Sequence, residues 1–182
     1  LLARISRGEP EALGLLYDRY SRLAIGVAYR VLGEHGAAED TVQEAFLAVW
    51  RRVDSFDASR GTARSWLLTI VRNCFLTQRG RRPAGREDEL PIEDTADALQ
   101  DPRPNPESAA HAASEQLALN LALARLSDEH REVLALREIE ELAYQEIAEV
   151  IDVKIGTVMS RLARAREALR EQWFELFGKV PA

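Results

Sequence analysis

Apolar side chains recur along this chain at steps of three and four residues, the spacing of one helical face. In residues 1–33 the series is Leu13, Leu16, Tyr17, Tyr20, Leu23, Ala24, Val27, Ala28 and Val31. Gly8-Glu9-Pro10 breaks off a short first helix, and Gly33 stops the long one. Residues 34–53 carry a second stripe, Val42, Ala45, Phe46 and Val49, with Trp50 at its margin. Asp40, Gln43, Glu44 and Leu47 project elsewhere. Acids early and arginines late in this segment suit a helix dipole. Residues 54–65 are polar, with Ser, Asp and Gly supplying turn chemistry. Residues 66–82 return to helical spacing. Trp66, Leu67, Ile70, Val71, Cys74 and Phe75 form the buried face, and Arg72, Asn73, Thr77 and Arg79 share another.

The pattern then fails and restarts. Pro83, Pro91, Pro102, Pro104 and Pro106 exclude a continuous helix over 83–110. Beyond it, Ala113, Leu117, Leu121 and Ala124 line one helix face. Ser127 reads as an N-cap, with Asp128 and Glu129 in the first turn of a helix continued by Val133, Leu134 and Leu136. Ile147, Ala148 and Ile151 make the apolar face of a short helix. Asp152 falls where the chain must turn, and Asp tolerates the left-handed conformation. A second helix opens at Ile155-Gly156-Thr157, packed inward by Val158, Leu162, Ala165 and Leu169. Trp173, Phe174, Leu176 and Phe177 close the chain as an aromatic amphipathic end, suited to packing on this unit or to a partner. The fold class expected is all-α: two small helical domains, 1–82 and 111–182, joined by a flexible linker over 83–110.

Composition narrows this. At 182 residues and 46% hydrophobic, the chain has room for two small cores. No apolar run approaches the length of a membrane span, so no membrane insertion is expected. Leu1-Leu2-Ala3-Arg4 lacks the features of a secretory leader, and without an initial Met the first residues are expected to be missing. One cysteine, Cys74, forms no internal disulfide and fits a reducing cytoplasm. It reads as a core residue rather than a nucleophile. Three scattered His give no metal spacing, and no phosphate loop or nucleophile motif is present. Neither a metal, a cofactor nor an enzymatic activity is expected.

The net charge of −6 argues against a general nucleic-acid coating protein. Its distribution is more informative. Residues 1–86 hold 14 Lys/Arg against 9 Asp/Glu, residues 87–110 hold 1 against 8, and residues 111–182 hold 9 against 13. A mildly basic unit, an acidic self-repelling connector and a second unit with one basic helix follow.

Two stretches carry candidate chemistry. The helix–turn–helix at 143–166 bears Thr157, Ser160, Arg161 and Arg164 opposite its apolar face, with Lys154 at the turn. The start of such a second helix enters the DNA major groove, where small polar and Arg side chains reach base edges and phosphates. Periodicity alone leaves open a plain helical hairpin with a solvated Arg face. From Arg51 to Arg86 there are nine Arg and two Asp. Arginines beside Asn and Thr suit phosphate contact with base reading, although a solvated basic helix is the other reading of any one Arg.

The run Gly156-Thr157-Val158-x-Ser160-Arg161-Leu162-x-Arg164-Ala165-Arg166 resembles the C-terminal domain of bacterial sigma factors of the extracytoplasmic-function (ECF, group IV) type. Ala38-Glu39-Asp40-x-Val42-Gln43-Glu44-x-Phe46-x-x-Val49-Trp50 resembles sigma domain 2, about 100 residues earlier and in the family's order. Trp66-Leu67-x-x-Ile70-x-Arg72-Asn73 resembles the segment that reads the minus-10 element, and Leu126 to Arg137 resembles the lead-in to domain 4. Met159 departs from the Lys or similar polar residue frequent in the family, and Asp152 from a turn Gly or Asn.

The resemblance implies an alternative sigma factor directing promoter-specific initiation. Asp40, Gln43, Glu44, Phe46, Leu47 and Trp50 would bind core RNA polymerase. Arg60, Arg64, Arg72, Asn73, Thr77 and Arg79 would read the melted minus-10 element. Lys154, Thr157, Ser160, Arg161 and Arg164 would read the duplex minus-35 element. The loop at 54–65 would take a flipped base, the linker would thread a polymerase channel, and an anti-sigma factor would hold the protein inactive until a stress or envelope signal. The competing class is a stand-alone helix-turn-helix regulator. It requires a dimerisation or receiver segment, and the sequence offers neither.

Overall fold

The computed structural model describes residues 1–80 and 117–178. The linker expected over 83–110 lies outside them. Among the described residues the structure is helical, without strands. Helix α1 is Leu2–Ile5, α2 Pro10–Leu32, α3 His35–Arg52 and α4 Ala63–Gly80, with a 3-10 turn at Val53–Ser55. In the second unit, α5 runs through residues 117–124, α6 is Asp128–Leu134, α7 Tyr144–Ile151 and α8 Ile155–Phe177. A π turn, Ala135–Ile139, extends α6.

Local chemistry sets the boundaries. Pro10 opens α2, where its missing N–H costs nothing. Gly33 closes it in the left-handed conformation, its N–H donating to the Tyr29 carbonyl. Ser127 caps α6 by accepting from the His130 N–H. Asp152 takes φ 54° and ψ 54°, the left-handed turn expected of it. A second left-handed residue, Glu141, carries no turn signal in the sequence.

The first unit's core joins α2, α3 and α4 through Leu16, Ala24, Ala28, Val42, Ala45, Phe46, Val49, Leu67, Val71 and Phe75. The second gathers Leu126, Val133, Leu136, Leu142, Ile147, Ile151, Val158 and Leu162. Two residues of the first unit, Val27 on α2 and Leu68 on α4, belong to that second cluster. Helix α7 therefore lies on α4, and α6 on α2. The sequence describes two modules on a tether; in this conformation the modules share an interface.

Leu162 is buried against α6 and α7. Leu162→Ala should lower the stability of the second unit by about 2–5 kcal/mol, the range for emptying a packed leucine site. Chemical denaturation followed by circular dichroism measures this, and a loss within experimental error would place α8 outside the core.

Candidate nucleic-acid interface

The helix–turn–helix is α7, the turn at Asp152–Lys154, and α8. Glu146 locks the entry to α7, its carboxylate accepting from the Ala143 N–H at 3.0 Å. Val158, Leu162 and Ala165 tie α8 to the core. Its outward face shows Ile155, Gly156, Met159, Ser160, Ala163 and Arg164, with Lys154 exposed at its start. Ser160 Oγ donates to the Thr157 carbonyl at 3.0 Å, and Arg164 Nε donates to the Ser160 carbonyl at 3.3 Å. Both side chains lie at the surface with hydrogen-bonding capacity left over.

Arg161 is placed differently from the sequence expectation. Its side chain is 16% exposed and meets Glu129 at 3.2 Å. One residue beyond Ser160, it rotates onto the flank of α8 facing α6, and an acid there holds it. Thr157 is half-buried on the same account. Lys154, Ser160 and Arg164 are the members of the expected set that stand open.

On α4, Thr62 Oγ1 accepts from the Ser65 N–H at 3.1 Å and starts the helix. The preceding loop is ordered by Asp57, whose Oδ1 accepts from the N–H and Oγ of Ser59 at 2.9 and 2.7 Å. These bonds hold the Asp57 carboxyl below its usual range. Arg60 beside it is exposed.

Arg64 and Arg72 are expected to meet DNA, but in this conformation they meet the second unit. Arg72 Nε donates to Glu132 Oε1 at 2.7 Å, and the Glu132 side chain is only 7% exposed. Arg64 donates to the Glu140 carbonyl and lies 4.0 Å from its carboxylate. Thr62 Oγ1 donates to Glu146 at 3.3 Å, and Ser65 Oγ to Glu149 at 3.1 Å. Burial pushes the Glu132 carboxyl up; the Arg72 bond opposes this and is the smaller effect. Burial likewise raises Glu140, against the pull of Arg30 and Arg64, and lowers Arg30.

Asn73 and Thr77 face away from this contact. They line an open groove between α3 and α4 with Glu44, Arg51, Arg52 and Cys74. Thr77 Oγ1 donates back to the Asn73 carbonyl at 2.8 Å. Arg79 stands on α4, with its side chain outside the described residues.

The surface of α3 exposes Asp40, Gln43, Glu44, Leu47 and Trp50. Phe46 does not join them. It is 4% exposed, with its ring 4.9 Å from Tyr17 in an edge contact. Phe46 lies one turn from Val42 and Val49 on the buried stripe, so it supports the face from beneath. Trp50, placed by sequence at the margin of that stripe, is 37% exposed.

The carboxylates Glu132, Glu140, Glu146 and Glu149 escaped the sequence reading. One signal was present: Leu68 beside Leu67 widens the apolar face of α4 beyond what one core needs. No helix among the described residues is long and apolar enough to cross a membrane.

An all-helical protein with a helix-turn-helix in one unit and an exposed acidic-aromatic helix face in the other defines a class of transcription protein. Residues 16–83 match the sigma-70 region 2 family and residues 116–169 the sigma-70 region 4 family. The chain is 31% identical to the ECF RNA polymerase sigma factor SigW of Bacillus subtilis, over 96% of each chain. It is 33% identical to the ECF RNA polymerase sigma-E factor of Escherichia coli, over 93% of this chain and 90% of that one. It is 39% identical to the ECF sigma factor SigE of Mycolicibacterium smegmatis over 85% of its own length, which spans only 57% of that relative. Among solved structures it superposes on the sigma factor RpoE of Bartonella quintana in complex with the anti-sigma factor NepR. That match has a TM-score of 0.67 and 26% identity, over 89% of this chain and 96% of that one. CnrH in complex with the cytosolic domain of CnrY gives a TM-score of 0.62 at 28% identity, over 92% and 91%. The chain belongs to the ECF RNA polymerase sigma factors of the sigma-70 family.

Cys74 tests the description of the α3–α4 groove. Burial raises its thiol above the ordinary range and the charge of Glu44 adds to this, with Arg52 opposing. A raised value leaves less thiolate at neutral pH. Iodoacetamide should therefore alkylate Cys74 more slowly than free cysteine at neutral pH, with the rate climbing past the pH where a free thiol levels off. A rate equal to free cysteine would contradict the burial.

Proposed function

We propose that this chain binds core RNA polymerase through the exposed α3 face of Asp40, Gln43, Glu44, Leu47 and Trp50. It reads a melted minus-10 element with the loop and helix carrying Arg60, Arg64, Arg72, Asn73, Thr77 and Arg79. It reads a duplex minus-35 element with Lys154, Ser160 and Arg164 on the outer face of α8. The observation that carries this reading is the α8 surface: a helix anchored by Val158 and Leu162 that presents a small polar and basic face at the start of a helix-turn-helix. Side chains of this size and charge suit base edges and phosphates in the major groove. An aromatic and an aliphatic anchor, Trp50 and Leu47, amid acids and amides on α3 suit a protein interface.

The domain division follows the same reading: 1–82 for polymerase and minus-10, 111–182 for minus-35, with 83–110 as tether. The chain works as a cytoplasmic polymerase subunit and catalyses no reaction. Bases captured in the single-stranded state offset the cost of opening the duplex. An anti-sigma factor that covers these surfaces is a partner, supported by the likeness to the RpoE and CnrH complexes.

Asp40→Arg reverses charge at an exposed position with no core role, so the fold should survive within about 0.5 kcal/mol. Core-enzyme capture should fall sharply; undiminished capture would move the docking surface off α3. Arg164→Ala should weaken holoenzyme binding to a minus-35 duplex by about 1–3 kcal/mol while leaving core association intact. Unchanged affinity in a gel-shift titration would remove α8 from that role.

A further inference from the structure

The outer half of α8 is divided between two chemistries. Ser160 and Arg164 lie to one side, and Ile155, Met159 and Ala163 form a stripe along the other at steps of four residues. Ile155 is 44% exposed and Met159 54%. Neither is needed inside, because Val158, Leu162 and Ala165 already fill the buried face. A single exposed apolar residue is ordinary on a protein surface. Here they stand in register on the helix proposed above to enter the major groove. Two exposed cations bracket them, Lys154 just before Ile155 and Arg164 just after Ala163. Gly156 lies in the same turn. A Cβ placed on it meets no other part of the chain within 4 Å, so packing within the chain gives no reason for a glycine there. A bare backbone at that point lets a partner come closer to the helix.

The partner that fits is anionic at the two ends of the stripe and apolar between them. DNA phosphates supply the first. In the major groove the apolar group on a base edge is the C5 methyl of thymine. We propose that Ile155 and Met159 read thymine by its C5 methyl, so that apolar contact selects the minus-35 element alongside the hydrogen bonds of Ser160 and Arg164. This rests on the minus-35 role proposed above for α8 and adds the chemical group that is recognised. Met159 is unbranched and flexible, and it adapts its shape to a small apolar target. Ile155 and Met159 are four residues apart, roughly 6 Å along the helix axis. That is about two base-pair steps at about 3.4 Å each, so the two side chains address separate thymines.

The test uses holoenzyme and the minus-35 duplex that it selects from a randomised pool. Each thymine of that duplex is replaced in turn by deoxyuridine, which keeps the pairing and loses only the methyl. Wild-type holoenzyme should bind about fourfold more weakly at one or two positions, the effect of leaving one methyl-sized group unburied. A duplex in which no single replacement matters overturns the proposal. The variant Ile155→Ala/Met159→Ala should bind thymine and deoxyuridine alike at those positions, and discrimination that survives in it overturns the proposal too. Both side chains are exposed, so thermal melting followed by circular dichroism should match wild type; if it does not, the deoxyuridine series on wild-type protein still decides. Core capture is measured in parallel. Loss of capture, with methyl discrimination intact in the holoenzyme that does form, assigns the stripe to a protein partner and overturns the proposal. Arg164→Ala separates this proposal from the reading beneath it. If Arg164→Ala weakens binding while no methyl matters, α8 reads the duplex without the stripe. If neither variant changes binding, the minus-35 role itself falls.

Discussion

How Glu132 meets Arg72 decides whether the arginine face of α4 is open or covered. The carboxylate leaves water on one unit to reach a guanidinium on the other, and burial raises its proton affinity more than the arginine lowers it. Removing two charges from water is costly, and a buried pair recovers that cost only when the geometry is good and further bonds complete it. Arg72 gives one bond of 2.7 Å. The ionic part of the contact is therefore weakly favourable at best, and specific rather than strong. Most of the attraction falls to a narrow apolar seam at Val27 and Leu68, far smaller than either core. Such a contact fixes which faces meet and remains separable by a competitor of the same chemistry.

That balance sorts the surfaces by state. On α3, Asp40, Gln43, Glu44, Leu47 and Trp50 are open whether or not the units are docked, because Phe46 and Val42 anchor the helix from below within the first core. On α8 the outer face is open because Val158 and Leu162 fix the helix from the opposite side. The arginines presented to the other unit are Arg64 and Arg72 of α4, with Arg30 of α2 beside Glu140. If α3 is the polymerase face proposed above, a chain meeting polymerase in this conformation does so with Arg64 and Arg72 still in contact with the second unit.

The helices were legible because each carries its own signal. Gly33 and Asp152 mark the ends of α2 and α7, Ser127 caps α6, and the three- and four-residue spacing located the core faces. The face on which a polar side chain lands was less legible. Arg161 lies four positions after Thr157 and Arg164 four after Ser160, yet one turns toward Glu129 and the other toward solvent. Rotation of a helix about its axis decides that, and packing sets the rotation. The spacing puts Phe46 on the core stripe and the resemblance makes it a docking anchor; burial beside Tyr17 resolves it to core. The interface between units was hidden because its carboxylates come from α6, the turn after it and α7, which sequence spacing does not bring together.

The interface also accounts for an acidic charge balance in a protein that engages DNA. The segment 111–182 holds 13 acids against 9 basic residues, which looks unfavourable for approaching phosphates. The structure shows where those acids go. Glu132, Glu140, Glu146 and Glu149 face the first unit, while Glu129 and Glu138 hold Arg161 and Arg166. Little of the negative charge lies on the opening turns of α8, where Lys154, Ser160 and Arg164 stand. Further along the helix exposed arginines and acids alternate, Arg166 beside Glu167 and Arg170 beside Glu171, so basic charge without a neighbouring acid on the helix is concentrated in the first turns of α8.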